Sequence, residues 1–132
     1  RRMLELAADW RGDPTTDLPV IIGADLNAVP DSTEVRMLTG REPGVAGIVL
    51  SDAWEQVGES PGATWLRGNP HAADSAWPNR RIDYVLVSWP RPKPVGNPAT
   101  AHLVGTGPVD IDGTPVWPSD HAGVVVDITT PG

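Results

Sequence analysis

Residues 81–89, Arg-Ile-Asp-Tyr-Val-Leu-Val-Ser-Trp, are the stretch that decides the fold class. The apolar residues of an extended chain alternate between its two faces, so this stretch predicts a strand. One face would carry Ile82, Tyr84 and Leu86, and the other would carry Asp83, Val85 and Val87. A second short strand, predicted over 18–23, lacks this alternation, as strands do in sheets that are covered on both faces.

Asp83 interrupts that apolar strand with a carboxylate. Burying an unpaired charge is costly, so Asp83 needs a partner. One interpretation pairs it with the neighbouring Arg80 or Arg81 in a structural ion pair. The other pairs it with an imidazole, which the carboxylate would orient and keep protonated.

Two further polar segments lie at the ends of apolar stretches. Gly23-Ala24-Asp25-Leu26-Asn27 follows a short buried strand predicted over 18–23, and Ser119-Asp120-His121 precedes a final buried strand predicted over 122–128. The two-residue period of a strand puts Asp25 and Asn27 on the same side, whereas the neighbours Asp120 and His121 point to opposite sides. Taken singly, each segment is also compatible with an ordinary turn or an exposed loop.

The remaining pattern predicts an α/β fold whose sheets are covered by helices. A helix is expected over 1–11, with Met3, Leu6, Ala7 and Trp10 on one face, and a short helix after Asp31. A short strand is expected over 63–66 within a Gly- and Pro-rich stretch, 58–79. Residues 105–118 are expected to form a loop, with a hairpin turn at Asp110–Gly113. No repeat or linker divides the chain.

Composition limits the chemistry. The chain has 132 residues, a formal net charge of -7, a single lysine (Lys93) and no cysteine. Disulfides and thiolate metal sites are therefore excluded, which leaves oxygen ligands and hard cations such as Mg²⁺ or Mn²⁺. The net negative charge disfavours a protein that coats nucleic acid. It does not exclude a nuclease, because a bound divalent cation would change the electrostatic field at the site. No apolar run is long enough to span a membrane.

Together, the three segments resemble the endonuclease/exonuclease/phosphatase superfamily, whose fold is that of deoxyribonuclease I. The family carries a Gly-Asp-Phe-Asn-type, an Arg-Ile-Asp-Tyr-type and a Ser-Asp-His motif in this order, and here they read 23–27, 81–84 and 119–121. The resemblance covers roughly residues 1–128. It implies a four-layer α/β sandwich, in which two packed sheets are flanked by helices, and a metal-dependent hydrolase acting on phosphate esters.

The resemblance also implies a role for each motif residue. Asp25 would orient or deprotonate the attacking water, and Asn27 would hold a phosphate oxygen in the transition state. Asp120 would bind the metal, Mg²⁺ or Mn²⁺. His121 would contact the scissile phosphate, and Asp83 would fix the orientation of its ring. Metal and imidazole together would offset the charge that develops on the phosphoryl group.

Complete members of this family are roughly twice as long, and their first half supplies a metal-binding Glu. Residues 1–132 are therefore expected to be the C-terminal half of the domain. The missing N-terminal half would be its partner, and this half alone would be inactive with an apolar face exposed.

The expected function is hydrolysis of a phosphodiester or phosphomonoester by in-line attack of water. The alternative is a non-catalytic relative, or a half-domain that acts as a binding or structural unit. The sequence does not choose among nucleic acid, phospholipid and small-molecule esters, and it leaves the cellular location open.

Overall fold

Short helices alternate with strands in the first half of the chain, and five strands follow one another in the second half. The structure is a computed structural model and describes residues 1–13, 16–59, 61–72, 76–88 and 96–130. In chain order, the elements are α1 (Arg2–Trp10), β1 (Ile21–Asp25), α2 (Thr33–Leu38), β2 (Leu50–Asp52), α3 (Ala53–Val57), a 3₁₀ turn (Pro70–Ala72), β3 (Asp83–Ser88), β4 (Pro98–Val104), β5 (Val109–Ile111), β6 (Thr114–Val116) and β7 (Gly123–Ile128).

The strand predicted over 81–89 is the middle strand of the central sheet. The strand order is β1-β3-β2, and β3 is antiparallel to both neighbours. Ile82, Tyr84 and Leu86 are almost fully buried, as the predicted face requires. β1 starts at Ile21, three residues later than predicted, and its burial alternates rather than being complete on both faces. Asp25 consequently lies within the strand, not after it.

The main core lies on one face of this sheet. Helices α1 and α2 cover it, and its buried residues are Leu4, Ala7, Val35, Leu38, Ile48, Leu50, Tyr84 and Leu86. The predicted helix over 1–11 is confirmed, but its predicted buried face is displaced: Leu4 and Ala7 are buried, whereas Trp10 is 71% exposed. Leu4 belongs to the same buried cluster as Tyr84 and Leu86, so packing in that core, rather than burial of the tryptophan, sets the orientation of the helix.

Asp52 connects β2, α3 and the entrance to β3. Its Oδ1 accepts a hydrogen bond from the Trp54 amide at 3.0 Å and so caps α3. Its Oδ2 forms an ion pair with Arg81 at 2.6 Å, and both side chains are buried. The guanidinium also lies over the Tyr84 ring, 5.0 Å from its centroid. This cluster fixes the chain just before Asp83.

The remaining strands form two antiparallel pairs, β4-β7 and β5-β6. The loop predicted over 105–118 is wrong in part, because residues 109–116 form the β5-β6 hairpin. Its turn contains Asp112 and Gly113, both with positive φ, and Asp110 Oδ1 accepts from the Gly113 amide at 2.9 Å. An Asp-Gly pair suits this turn geometry, so the predicted hairpin turn is confirmed.

Helices and several antiparallel sheets together give a mixed α/β architecture. The described residues contain one three-stranded sheet and two two-stranded sheets. Among the described helices, none is both long and apolar enough to cross a lipid bilayer.

Candidate active site

Asp25 and Asp83 face one another at one end of the central sheet. The antiparallel register of β1 and β3 places them directly opposite, so their side chains project from the same face. Like charges in this position repel each other, and a nearby cationic or hydrogen-bonding group is needed to offset that repulsion. The sequence segment that supplies such a group is 119–121.

His121 lies just before β7 and reaches Asp83. The distance between His121 Nδ1 and Asp83 Oδ2 is 2.8 Å. A carboxylate oxygen can only accept, so Nδ1 donates and Nε2 is the ring nitrogen left for other contacts. The arginines offered as alternative partners are engaged elsewhere: Arg81 pairs with Asp52, and Arg80 stacks over the Trp77 ring at 4.6 Å. Of the two partners considered for Asp83, the structure selects the imidazole.

The surroundings of His121 favour its protonated form. Partial burial lowers the pKa of the imidazole, but the hydrogen bond and charge of Asp83, together with the charges of Asp120 and Asp25, outweigh burial and raise the pKa above its ordinary value. The ring also meets Trp65 edge-on, with centroids 5.0 Å apart. His121 is therefore held by one carboxylate and one indole and is available as a cationic donor.

Asn27 folds back toward Asp25. Its φ is 50°, a left-handed conformation that asparagine tolerates better than most residues. Asp25 Oδ1 accepts from the Asn27 amide at 2.8 Å, and Asp25 Oδ2 is 3.4 Å from Asn27 Nδ2. The segment is thus a side-chain-closed turn, and the same turn brings the carboxamide beside the carboxylate.

Asp120 lies at the rim of the site. It is exposed, and its Oδ1 accepts from the Ser119 hydroxyl at 3.2 Å. Its charge helps to raise the pKa of His121, but Asp120 is not one of the three residues whose potential metal-ligand atoms lie close together. Among the residues that the structure describes, Asp25, Asp83 and His121 offer ligand atoms that all lie within 4.8 Å of one another.

The donor chemistry of this group fits a hard divalent cation. Two carboxylates are the ligands that such ions prefer, and an imidazole is tolerated by Mn²⁺. One Asp83 oxygen and His121 Nδ1 are already joined to each other. A metal at this group would therefore draw on the second Asp83 oxygen, on Asp25 or on Nε2, and Asp120 adjoins it along the chain.

Two pockets differ in size and in the residues that line them. A pocket of about 320 Å³ opens beside the site and includes Asp25 and Asp83 in its wall. A larger cleft, of about 790 Å³, lies between α3 and β4 and contains none of the five predicted site residues. Chemistry, rather than size, therefore identifies the smaller pocket as the candidate active site.

Asn69 and Trp65 support this site, although no motif in the sequence indicates them. Asn69 is buried, donates from Nδ2 to the Ser119 carbonyl at 2.7 Å and accepts from the His71 amide at 2.9 Å. The strand predicted over 63–66 is reduced to isolated bridges that join Trp65 to Arg80 and to His121. The Gly- and Pro-rich composition of 58–79 has no periodic signal that would have indicated either role.

The chain matches a protein-family model over most of its length. The model of the Endonuclease/Exonuclease/phosphatase family matches residues 1–121, which is most of the chain. Neither a curated protein nor a solved structure matches the chain significantly. The matched range includes all three polar segments of the candidate site.

Proposed function

The chain belongs to the endonuclease/exonuclease/phosphatase family, and on this basis we propose that it takes part in metal-dependent hydrolysis of a phosphoric ester. The observation that carries the proposal is the Asp83–His121 hydrogen bond beside Asp25. A general base, an oriented imidazole and a phosphate-binding amide are the groups that in-line attack of water on phosphorus requires.

In the proposed reaction, Asp25 accepts a proton from water as the water oxygen bonds to phosphorus. The bond from phosphorus to the leaving oxygen then breaks, and that oxygen takes a proton from solvent. His121, held by Asp83, donates from Nε2 to a phosphoryl oxygen, and Asn27 donates from its carboxamide to another. These donors act where negative charge develops, which is the largest source of rate enhancement in such sites.

Asp120 is the residue we assign to the metal, Mg²⁺ or Mn²⁺, with Asp25 and Asp83 as neighbouring carboxylates. When bound, the ion would neutralise charge on the phosphoryl oxygens. The oxygen-rich donor set and the absence of cysteine support a hard cation.

We also propose that residues 1–132 are the C-terminal half of a four-layer sandwich completed by an N-terminal half. Apolar residues on three different strands support this: Ile21 on β1 is 48% exposed, Val104 on β4 is 45% exposed and Val125 on β7 is 38% exposed. Strands with apolar outer positions need a covering layer. The N-terminal half would add that layer and a further carboxylate for the metal.

The substrate is proposed only as a phosphodiester or phosphomonoester. The formal charge of -7 makes extended duplex DNA the less favourable choice, because phosphates bind clustered Lys and Arg. Assays on nucleic acid, phospholipid and small-molecule esters would identify which of these substrate classes is hydrolysed.

The test is hydrolysis of bis(p-nitrophenyl) phosphate and p-nitrophenyl phosphate by the complete protein, with Mg²⁺ or Mn²⁺ and with EDTA. Asp25→Asn and His121→Gln should each lower kcat by about 100-fold or more. Asp9→Asn on α1 and Glu34→Gln on α2 are controls that neutralise a carboxylate at an exposed helix position, and they should retain parental rates. EDTA-resistant turnover, or Asp25 and His121 variants as active as these controls, would contradict the proposal and favour the non-catalytic alternative.

A further inference from the structure

Thr64 holds the start of β3 through its side chain. It is fully buried, and its hydroxyl oxygen accepts from the Ile82 amide at 3.1 Å and from the Asp83 amide at 3.2 Å. These two acceptor interactions use both lone pairs of the hydroxyl. The hydroxyl therefore fixes the backbone on which the Asp83 carboxylate is carried.

The backbone of the same residue holds the start of β7. The Thr64 carbonyl accepts from the Ala122 amide at 2.8 Å, and Ala122 directly follows His121. The next residue, Trp65, bridges to His121 through its backbone and meets the imidazole with its ring edge. Thr64 thus bonds to the backbone on both sides of the Asp83–His121 hydrogen bond.

We propose that Thr64 is the positioning residue for the Asp83–His121 pair. It touches neither substrate nor reacting atoms, and it acts by setting the distance between the two strands that carry the pair. The expected effect of Thr64 on turnover rests on the function proposed above. Its expected effect on the Asp83–His121 hydrogen bond is independent of that function. A misplacement of about 1 Å at a catalytic group can cost about 100-fold in rate.

The chemistry of substitution at this position separates positioning from simple packing. Thr64→Val preserves the shape but leaves two buried amides without an acceptor. Thr64→Ser keeps the acceptor and removes a methyl group, whereas Thr64→Cys supplies only a weak acceptor. Loss of the Asp83–His121 hydrogen bond and of kcat should therefore increase as the acceptor at position 64 becomes weaker, and should not follow side-chain volume.

Ser88 provides a matched control at the opposite end of β3. It is also buried, and its hydroxyl accepts from the Val20 amide at 2.9 Å. Ser88→Ala removes a buried hydroxyl that binds backbone, as Thr64→Val does, but far from the Asp83–His121 pair along the strand. Ser88→Ala therefore measures the effect of losing a buried hydroxyl on stability alone. Any additional effect of Thr64→Val is assigned to loss of positioning of the Asp83–His121 pair.

The experiment uses the complete protein and two readouts. In NMR spectra, the downfield proton of the His121 Nδ1–H···Asp83 hydrogen bond should be retained in Thr64→Ser and Ser88→Ala and lost in Thr64→Val. In phosphate-ester hydrolysis, Thr64→Val should lower kcat by about 10- to 100-fold with KM changed less than about 2-fold. Thr64→Cys should fall between, and it substitutes for Thr64→Val if that variant does not fold.

The Thr64 proposal and the proposed function fail on different results. A Thr64→Val or Thr64→Cys protein that keeps both the NMR signal and parental kcat overturns the proposal, as does a Ser88→Ala protein that loses them equally. If the parent protein hydrolyses no phosphate ester, the proposed function fails. The NMR signal in the same variants still decides whether Thr64 positions the pair.

Discussion

The Asp83 carboxylate accepts a hydrogen bond from His121 Nδ1 over 2.8 Å, although the two residues are separated by 38 positions. Asp83 belongs to the central sheet, and His121 precedes a strand of the β4-β7 pair. The bond therefore joins two sheets at the point where Asp25 also projects. Its loss would disturb both the orientation of the imidazole and its charge.

Asp83→Asn should lower kcat for phosphate-ester hydrolysis by about 10- to 100-fold, because the neutral amide no longer favours an oriented, protonated imidazole. Steady-state kinetics of the complete protein would measure this. Asp9→Asn is the control, since it makes the same chemical change at an exposed position of α1. Equal rates for the two variants would mean that the Asp83–His121 bond has no role in turnover.

The raised pKa of His121 predicts a pH-dependent contribution to folding stability. A histidine whose pKa is higher in the folded than in the unfolded protein stabilises the fold fully below its unfolded pKa, about 6.5. That contribution should be lost as the pH rises through the higher folded value. Urea unfolding in metal-free buffer, comparing the parent with His121→Asn, should show their stability difference shrinking with rising pH.

The same titration in an Asp83→Asn background supplies the control. Because the hydrogen bond and charge of Asp83 raise the pKa of His121 more than the charges of Asp120 and Asp25 do, removing the Asp83 carboxylate should reduce the pH-dependent part of the difference. A difference in unfolding free energy between parent and His121→Asn that grows with pH would contradict a raised pKa of His121. A pH dependence that is unchanged in the Asp83→Asn background would contradict Asp83 as its cause.

The central strand and the polar segments could be predicted because their signals are local. Alternation along 82–87 requires only the two-residue period of a strand, and a carboxylate on that strand requires a partner. Residue chemistry alone leaves Arg80, Arg81 and an imidazole open as partners of Asp83, and the family resemblance indicates His121. The hairpin over 109–116 has no such local signal outside its Asp-Gly turn, because its strands are short and exposed.

The supporting residues could not be predicted for a physical reason. Thr64 and Asn69 act through single hydrogen bonds to distant backbone, at Asp83 and at Ser119. Such contacts leave no period or spacing in the sequence. The buried face of α1 was similarly displaced, because packing against the sheet selected Leu4 and left Trp10 exposed.

Breaking the Arg81–Asp52 pair should be strongly destabilising. Their side chains are 9% and 1% exposed, so Arg81→Met would leave the Asp52 charge buried without its partner. A loss of about 3–5 kcal/mol in the free energy of unfolding is expected, measured by urea denaturation. Arg41→Met, which removes the exposed partner of Glu55, is the matched control and should cost at most about 1 kcal/mol. Similar losses in both variants would argue that burial does not govern the cost.

Three glycine-to-alanine changes should separate backbone strain from steric overlap around Trp54. Gly47 has a φ of 81° and open space beside it, so Gly47→Ala tests strain alone and should cost about 1–2 kcal/mol. Gly58 lies against the Trp54 ring without positive φ, so Gly58→Ala tests overlap, at about 1–3 kcal/mol. Gly62 combines a φ of 63° with contact to Trp54 Nε1, and Gly62→Ala should be the most destabilising in chemical denaturation. A smaller effect at Gly62 than at Gly47 would contradict the packing described for Trp54.

The 132-residue chain, assayed alone, should show little or no phosphoesterase activity, whereas the complete protein should be active with Mg²⁺ or Mn²⁺. The physical reason is the ligand count: a hard cation takes about six oxygen ligands and is anchored by carboxylates, and in the proposed scheme the N-terminal half supplies an anchoring carboxylate that Asp120 needs beside it. The exposed Ile21, Val104 and Val125 should also make the isolated chain associate, which sedimentation velocity would detect. Robust, EDTA-sensitive turnover by the isolated chain would instead show that Asp25, Asp83 and His121 already form a complete metal site, and the half-domain proposal would fall.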